Sequence, residues 1–266
     1  MKYAAHTIFT LIVGVAISVP VWAQQAVLPP APLPTPLPAT SSPIQKLIAV
    51  DQLVEQKQYD EAVRGYNSLL SDDPHNPQLL NRLGIVYQAQ QNLRQAKIYY
   101  DRALKADPHF AAATNNLGSV YYNQKNYRKA VRLYLKAIKL EPNTAAYHSN
   151  LGYALLEQKK YKEMMDSFRQ AAALDPSIFD QHNRSGVMML ERATEDNAAL
   201  HFYLAQTFGE MGNVARCLEY LKKARDEHYK RILSIKTDPA FAPVRSDPAF
   251  QEFIDALTRK TAPNPS

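Results

Sequence analysis

Cysteine and tryptophan are nearly absent from this chain of 266 residues, which contains one of each, Cys217 and Trp22. A single cysteine cannot form an internal disulfide, so a small fold held by disulfide bonds is excluded. The chain also lacks the short motifs of common enzyme sites: a glycine-rich phosphate loop, His-Glu-x-x-His, a cysteine pair and Gly-x-Ser-x-Gly. The sequence therefore predicts a protein that is not an enzyme and that needs no cofactor.

What the chain does contain is a repeat of 34 residues. Four acidic residues followed by proline share one register: Asp73-Pro74, Asp107-Pro108, Glu141-Pro142 and Asp175-Pro176. Two further sets coincide in that register: the pairs Leu83-Gly84, Leu117-Gly118 and Leu151-Gly152, and the pairs Ala62 with Tyr66, Ala96 with Tyr100, and Ala130 with Tyr134. A fixed period of this length indicates a stack of similar units rather than one closed globule.

The spacing inside each block predicts two helices. Leu117, Gly118 and Tyr121 fall on one face of a first helix, and Ala130 and Tyr134 on one face of a second. The proline that ends the block stops the second helix. Because such a pair cannot bury its apolar face alone, successive pairs must stack. Cys217 takes the position of Ala130 in a later block, so we expect it to be buried.

These features resemble the tetratricopeptide repeat. The resemblance implies an all-α solenoid of about five helix-turn-helix repeats, closed by a C-terminal capping helix. We place repeats one to four at residues 44–177 and repeat five at 198–231, with a capping segment at 232–266 that carries a duplicated Asp-Pro-Ala-Phe. Between repeats four and five the register breaks, and residues 178–197 form an insertion, either a helix or an extended lid. The part from about residue 178 onward is similar to exported bacterial repeat proteins.

The beginning of the chain indicates export. A lysine near the start, an apolar run over residues 8–19 and a small-x-small ending at Ala23 predict a secretory signal over residues 1–23. An uncleaved membrane anchor is the alternative, although the run is shorter than the roughly 20 residues that span a bilayer. Residues 24–43 are rich in proline and predict an extended linker. We therefore expect a periplasmic or secreted protein with no transmembrane span after cleavage.

Charge and histidine positions suggest few other partners. His75 and His109 are one period apart, so they are equivalent positions on successive units and do not predict a metal site. The chain has 31 basic and 25 acidic residues, and one cluster of basic residues lies in repeat three: Lys125, Arg128, Lys129, Arg132, Lys136 and Lys139. This cluster is either a solvated outer face or a site for an anionic envelope polymer. Nucleic acid is not an expected partner of an exported protein.

Polar residues on the first helices are the candidate binding residues. They are Asn81, Arg82, Asn115, Asn116, Ser119, Tyr122, Asn123, Ser149, Asn150 and Tyr153. Asn116 and Asn150 are similar to two rungs of the asparagine ladder in the repeats of O-GlcNAc transferase, whose catalytic domain is absent. That resemblance implies a solvent-facing groove that holds the backbone of an extended peptide, since an amide offers an acceptor and two donors. Asparagine as an ordinary polar helix residue is the alternative. We expect a scaffold or adaptor.

Overall fold

A computed structural model of the chain describes residues 42–180 and 197–261. The predicted signal at 1–23, nearly all of the predicted linker and residues 181–196 of the predicted insertion lie outside these ranges. The regular structure of the described residues is entirely helical, which confirms the all-α prediction. Eleven α-helices occur there: α1 Pro43–Glu55, α2 Tyr59–Asp72, α3 Pro77–Ala89, α4 Leu93–Ala106, α5 Ala111–Asn123, α6 Tyr127–Leu140, α7 Ala145–Glu157, α8 Tyr161–Leu174, α9 Asn197–Glu210, α10 Val214–Asp226 and α11 Pro248–Thr261. Two 3-10 segments, Ile232–Lys236 and Pro239–Val244, precede α11.

The first helix begins one residue earlier than predicted. Ser42 caps α1 by accepting a hydrogen bond from the Gln45 amide, and the Gln45 side chain accepts one from the Ser42 amide. Pro43 then occupies the first helical position, where its missing N–H costs no hydrogen bond. Pro43 therefore belongs to repeat one and not to the linker.

Each pair of helices is joined by the same tight turn. One residue of every turn adopts a left-handed conformation, and in the first four pairs these residues are one period apart: Lys57, Gln91, Lys125 and Lys159, with φ between 59° and 61°. The fifth pair uses Gly212, with φ of 70°. This conformation reverses the chain within a few residues, so the two helices of a pair pack antiparallel.

Glycine allows the two helices of a pair to approach closely. A Cβ atom built on Gly84, Gly118 or Gly152 would lie 2.4, 2.7 or 2.3 Å from a ring carbon of the aromatic residue on the second helix. Repeat one has the opposite arrangement, because Val50 replaces this glycine and Gly65 stands on the second helix instead. A Cβ at Gly65 would lie 2.5 Å from a methyl carbon of Val50. The close approach is thus kept while the glycine changes helix.

Stacking of the pairs places the first helices on the inner side of the array. Helices α3, α5 and α7 contact one another in succession, whereas α4, α6 and α8 are farther apart. A stack that is tighter on one side is curved, and the tighter side is its concave face. The core lies between the layers and contains the repeated residues Ala96, Tyr100, Ala130, Tyr134 and Phe168, all fully buried.

The fifth pair and the C-terminal segment continue this core. Cys217 is fully buried on α10, as expected, and burial raises the pKa of its thiol to about 12. Phe241 and Phe250 are also fully buried, with ring centroids 5.8 Å apart. The duplicated Asp-Pro-Ala-Phe therefore supplies the two aromatic residues with which the capping segment closes the array.

Only the two ends of the predicted insertion at residues 178–197 are among the described residues. Ile178 is buried, and Asp180 accepts hydrogen bonds of 2.5 and 2.7 Å from the Arg216 guanidinium of α10. The Tyr220 hydroxyl donates to the Phe179 carbonyl at 3.2 Å. The hydrogen bonds attach Phe179 and Asp180 to α10 of repeat five, whereas Ile178 packs in a cluster with residues of α5 to α8. Helix α9 begins at Asn197. The repeat register gave no sign of these contacts because they are tertiary.

Candidate functional site

The inner face is held together by polar contacts between successive first helices. Between α1 and α3, Arg82 of α3 donates from Nη1 to both carboxylate oxygens of Asp51 on α1, at 2.6 and 2.7 Å. The Tyr66 hydroxyl of α2 also donates to this carboxylate. The ion pair is partly exposed, so its contribution to stability is small, about 0 to 1 kcal/mol.

Asparagines make the contacts between the next two pairs of first helices, α3 with α5 and α5 with α7. Asn116 of α5 donates to Asn81 of α3 at 3.0 Å, and Asn150 of α7 donates to Asn115 of α5 at 2.9 Å. Asn115 in turn donates to Asn116 at 3.2 Å. A continuous chain of amide hydrogen bonds thus runs from α7 through α5 to α3. The asparagines do form a ladder, but their side-chain amides hydrogen-bond to one another.

This arrangement corrects the prediction that the polar residues face solvent. Six of the ten candidate residues are buried: Asn81, Asn115, Ser119, Tyr122, Ser149 and Asn150. For Asn81, Asn115 and Asn150 the physical reason is that neighbouring first helices are close enough for their side-chain amides to hydrogen-bond with each other. Four candidates stay partly exposed: Arg82, Asn116, Asn123 and Tyr153.

The tyrosines among the candidates have structural partners as well. The Tyr122 hydroxyl donates to Glu157 of α7 at 3.2 Å, and the Tyr122 ring packs edge-on against Tyr127 at 5.4 Å. Burial, together with the Glu157 carboxylate, raises the pKa of Tyr122 well above its usual value. Tyr122 therefore remains a neutral hydrogen-bond donor that connects α5 to α7.

The accessible part of the inner face is a narrow line of residues. On α5, ten of thirteen residues are buried, and the other three are Ala112, Asn116 and Asn123. These three lie at i, i+4 and i+11, which is one stripe of a helix. Their equivalents on α3, one period earlier, are Gln78, Arg82 and Ala89, and all of them are at least partly exposed.

The same line continues onto α1 and ends at α7. On α1 its members are Ile44 and Ile48, which are 70% and 52% exposed, and the exposed Glu55. On α7 the equivalents Ala146 and Asn150 are buried, and the third equivalent, Glu157, is partly exposed. We call the accessible line the inner strip: Ile44, Ile48, Glu55, Gln78, Arg82, Ala89, Ala112, Asn116 and Asn123. It crosses three helices and offers apolar groups at one end and amides at the other.

Only Arg82, Asn116 and Asn123 of this strip are among the binding residues predicted from the sequence. Ala112 and Gln78 are not, because neither has a side chain that suggests binding. The signal was the period itself, since subtracting 34 from 112 leads to Gln78 on α3, and subtracting 68 from 112 and from 116 leads to Ile44 and Ile48 on α1.

The described residues contain neither a cluster of metal ligands nor a membrane-spanning helix. No group of three or more His, Cys, Asp or Glu side chains in these ranges could hold a metal ion. None of the helices in the same ranges is both long and apolar enough to cross a membrane.

Comparisons with known proteins agree with the repeat register. Family models described as tetratricopeptide repeat match residues 77–110, 111–144 and 145–178, and a model described as TPR repeat matches residues 51–91. The boundaries of the three single-repeat models are 34 residues apart. No curated protein matches the chain.

Several solved structures have a similar fold. PilF of Pseudomonas aeruginosa is similar with a TM-score of 0.52 and 18% identity, over 84% of this chain and 93% of that chain. MamA of Desulfovibrio magneticus RS-1 has a TM-score of 0.48 and 17% identity, over 70% and 94%. YrrB, described as a TPR protein with an unusual peptide-binding site, has a TM-score of 0.46 and 19% identity, over 73% and 91%. At such identities the likeness to PilF concerns the fold alone.

Proposed function

We propose that this chain, whose residues 51–178 are tetratricopeptide repeats, is an exported, non-enzymatic adaptor that binds an extended segment of another protein along the inner strip. The observation that carries the proposal is the contrast on α5. Ten of its residues are buried, and the three accessible ones form one line with their equivalents on α3 and α1. A line of accessible residues across parallel helices suits a ligand that runs across them.

The strip also suggests the chemistry of that segment. Three helix axes about 10 Å apart span about 20 Å, which an extended chain covers with about six residues. Ile44 and Ile48 favour an apolar side chain at one end. Asn116, which is partly exposed, suits a backbone peptide group at the other end, because its amide both donates and accepts. Arg82 lies between them and suits a carbonyl or carboxylate acceptor.

Selection of peptides from a displayed random library on the full chain tests this function. We expect the selected peptides to bind at the strip, so Ala112→Arg should weaken their binding about tenfold or more. Ala112 is partly exposed, and an arginine there can reach solvent without disturbing the core. The long arginine side chain would cover the part of the inner strip next to Gln78 and Asn116. Isothermal titration of each peptide measures the effect.

Ala173→Arg is the matched control. Ala173 is an exposed alanine on the second helix α8, so the same substitution there adds the same charge and volume away from the strip. Its affinities should stay within about twofold of those of the unmodified chain. Peptides that bind the Ala112→Arg protein with unchanged affinity would show that the strip is not the binding site.

Export is supported by the residues at the start of the chain. We predict that the mature protein begins at Gln24, after the small-x-small ending at Ala23. Because Trp22 is the single tryptophan, the processed protein would also lack tryptophan fluorescence. Intact-mass measurement of protein recovered from the natural exported fraction checks both statements. A chain that retains Trp22 would contradict cleavage at this site.

A further inference from the structure

The outer face of the array carries an unusual concentration of positive charge on two neighbouring repeats. Helix α6 has five basic residues and no acidic residue, and α4 has four basic residues and one aspartate. Together they carry a net charge of +8, which exceeds the +6 of the whole chain. The other second helices are mixed or acidic, since α2 contains Asp60, Glu61, Arg64 and Asp72, and α8 pairs Arg169 with Asp166.

The exposed residues of both helices occupy equivalent positions. On α6 they are Arg128, Arg132, Leu135, Lys136 and Lys139, and on α4 the equivalents are Arg94, Ile98, Asp101, Arg102 and Lys105. We call the nine of them other than Asp101, which pairs with Lys97, the outer basic surface. On α6 they extend over eleven residue steps, or about 16 Å of helix. A surface of this size can contact many anionic groups at once.

The cations of this surface are available for a ligand. None of its seven basic residues forms a salt bridge with another described residue. Lys136 donates a hydrogen bond to the Pro108 carbonyl. Because that carbonyl is neutral, the charge of Lys136 remains uncompensated. Of the acidic residues nearby, Asp101 pairs with Lys97 at 2.5 Å, whereas Asp107 and Glu141, at the ends of α4 and α6, accept hydrogen bonds from the neutral His109 amide and Tyr147 hydroxyl and keep their charge.

Exposed apolar side chains lie among the cations. Leu135 is 51% exposed between Arg132 and Lys139, and Ile98 is 42% exposed on α4. A soluble polyanion offers such groups no favourable contact. The interface of a lipid bilayer offers anionic headgroups to the cations and hydrocarbon to the apolar groups.

One end of the surface also opens into a cleft. Arg102 and Lys105 line it together with His75, Leu80 and Ala106, and its volume is about 500 Å³. A lipid phosphate placed there would meet two cations from one helix turn. No residue of the inner strip lines this cleft.

From this combination we infer that the outer basic surface docks the protein onto anionic lipid membrane, independently of the inner strip. The surface is convex, so a bilayer can contact α4 and α6 together. The inner strip then faces away from the lipid and remains open to a protein segment.

Co-sedimentation of the full chain with lipid vesicles tests the inference. We expect binding to vesicles containing about one third phosphatidylglycerol and much weaker binding to phosphatidylcholine alone. The Arg128→Glu/Arg132→Glu variant should bind the anionic vesicles at least 25-fold more weakly, at about fivefold for each lost cation. All of the variants keep the same N-terminal residues, so any contribution of those residues to vesicle binding is the same in each protein.

The Lys162→Glu/Lys222→Glu variant is the control, since it makes the same charge change at exposed residues of α8 and α10. It should bind within about threefold of the unmodified chain. Equal losses in both double variants would show attraction to net charge alone and would overturn the inference.

Leu135→Ser separates a membrane from a soluble polyanion. We expect it to weaken vesicle binding about fivefold, because a partly exposed leucine would lose its contact with hydrocarbon. Binding of inorganic polyphosphate, measured beside it, should not change. If Leu135→Ser binds vesicles as the unmodified chain does, the surface recognises polyanions in general and the assignment to lipid is wrong.

Discussion

Replacing Ala130 by glutamate is expected to destabilise the protein by more than about 3 kcal/mol. Ala130 is fully buried on α6, where it packs between the paired helices of repeat three. A glutamate there would place a carboxylate without a partner in the core and would also exceed the available volume. Chemical denaturation, followed by circular dichroism, measures the loss.

The pH dependence of this variant provides a second check. Burial raises the pKa of a carboxyl group because it disfavours the charged form. The folded variant therefore binds a proton more readily than the unfolded one, and its deficit should shrink as the pH falls. A deficit that stays constant from neutral to acidic pH would indicate that volume and not charge causes it.

Arg132→Glu is the matched control for Ala130→Glu. Arg132 is exposed on the same helix, two residues away, and its replacement should change the stability by no more than about 0.5 kcal/mol. The adjacent Lys129 is unsuitable as a control, because its Nζ donates to the Tyr121 hydroxyl at 2.7 Å and lies 4.0 Å from the ring centroid. Equal melting temperatures for the Ala130 and Arg132 variants would contradict the repeat register.

The second large effect is expected at Asn150. Its substitution by alanine removes the donor to the buried Asn115 oxygen, which should cost about 1 to 3 kcal/mol. For a fold of this size such a loss lowers the melting temperature by about 2 to 4 °C per kcal/mol. Asn116→Ala should cost less, because Asn116 is partly exposed and water can replace its amide.

Two comparisons make this prediction specific. Asn67→Ala, at an exposed asparagine of α2, should leave the melting temperature almost unchanged. A double-mutant cycle of Asn115→Ala with Asn150→Ala should give a coupling energy of about 1 kcal/mol, as expected for side chains in direct contact. If the Asn150→Ala variant has the same melting temperature as the unmodified chain, the amide hydrogen bonds contribute nothing to the stability of the repeat stack.

The repeat architecture could be predicted from the sequence because it depends on period alone. The recurrence of Gly118 and Tyr134 at fixed intervals determines which faces of two helices meet, whatever the details of packing. The same register predicted the burial of Cys217, whose neighbours in sequence give no such indication. Repeat one was harder, since Val50 and Gly65 exchange roles and only the structure shows that the pair compensates.

The binding face could be predicted only in part. A helical period shows that Asn115 and Asn116 lie on the inner side, but it does not give the distance to the next helix. That distance decides whether an amide contacts solvent or the amide of its neighbour, as Asn150 does with Asn115. Residues such as Ala112 become informative only when the burial of the surrounding residues shows what is left exposed.

Photo-crosslinking from the inner strip tests the central claim, that this strip holds the partner segment, most directly. Benzoylphenylalanine would replace Ile48, a large and 52% exposed residue of the strip, in one protein and Ala173, on the outer side, in another, and each would be irradiated with a selected peptide. We expect crosslinks from position 48 and none from position 173. Crosslinks from position 173 alone, with the peptide bound in both proteins, would contradict the claim.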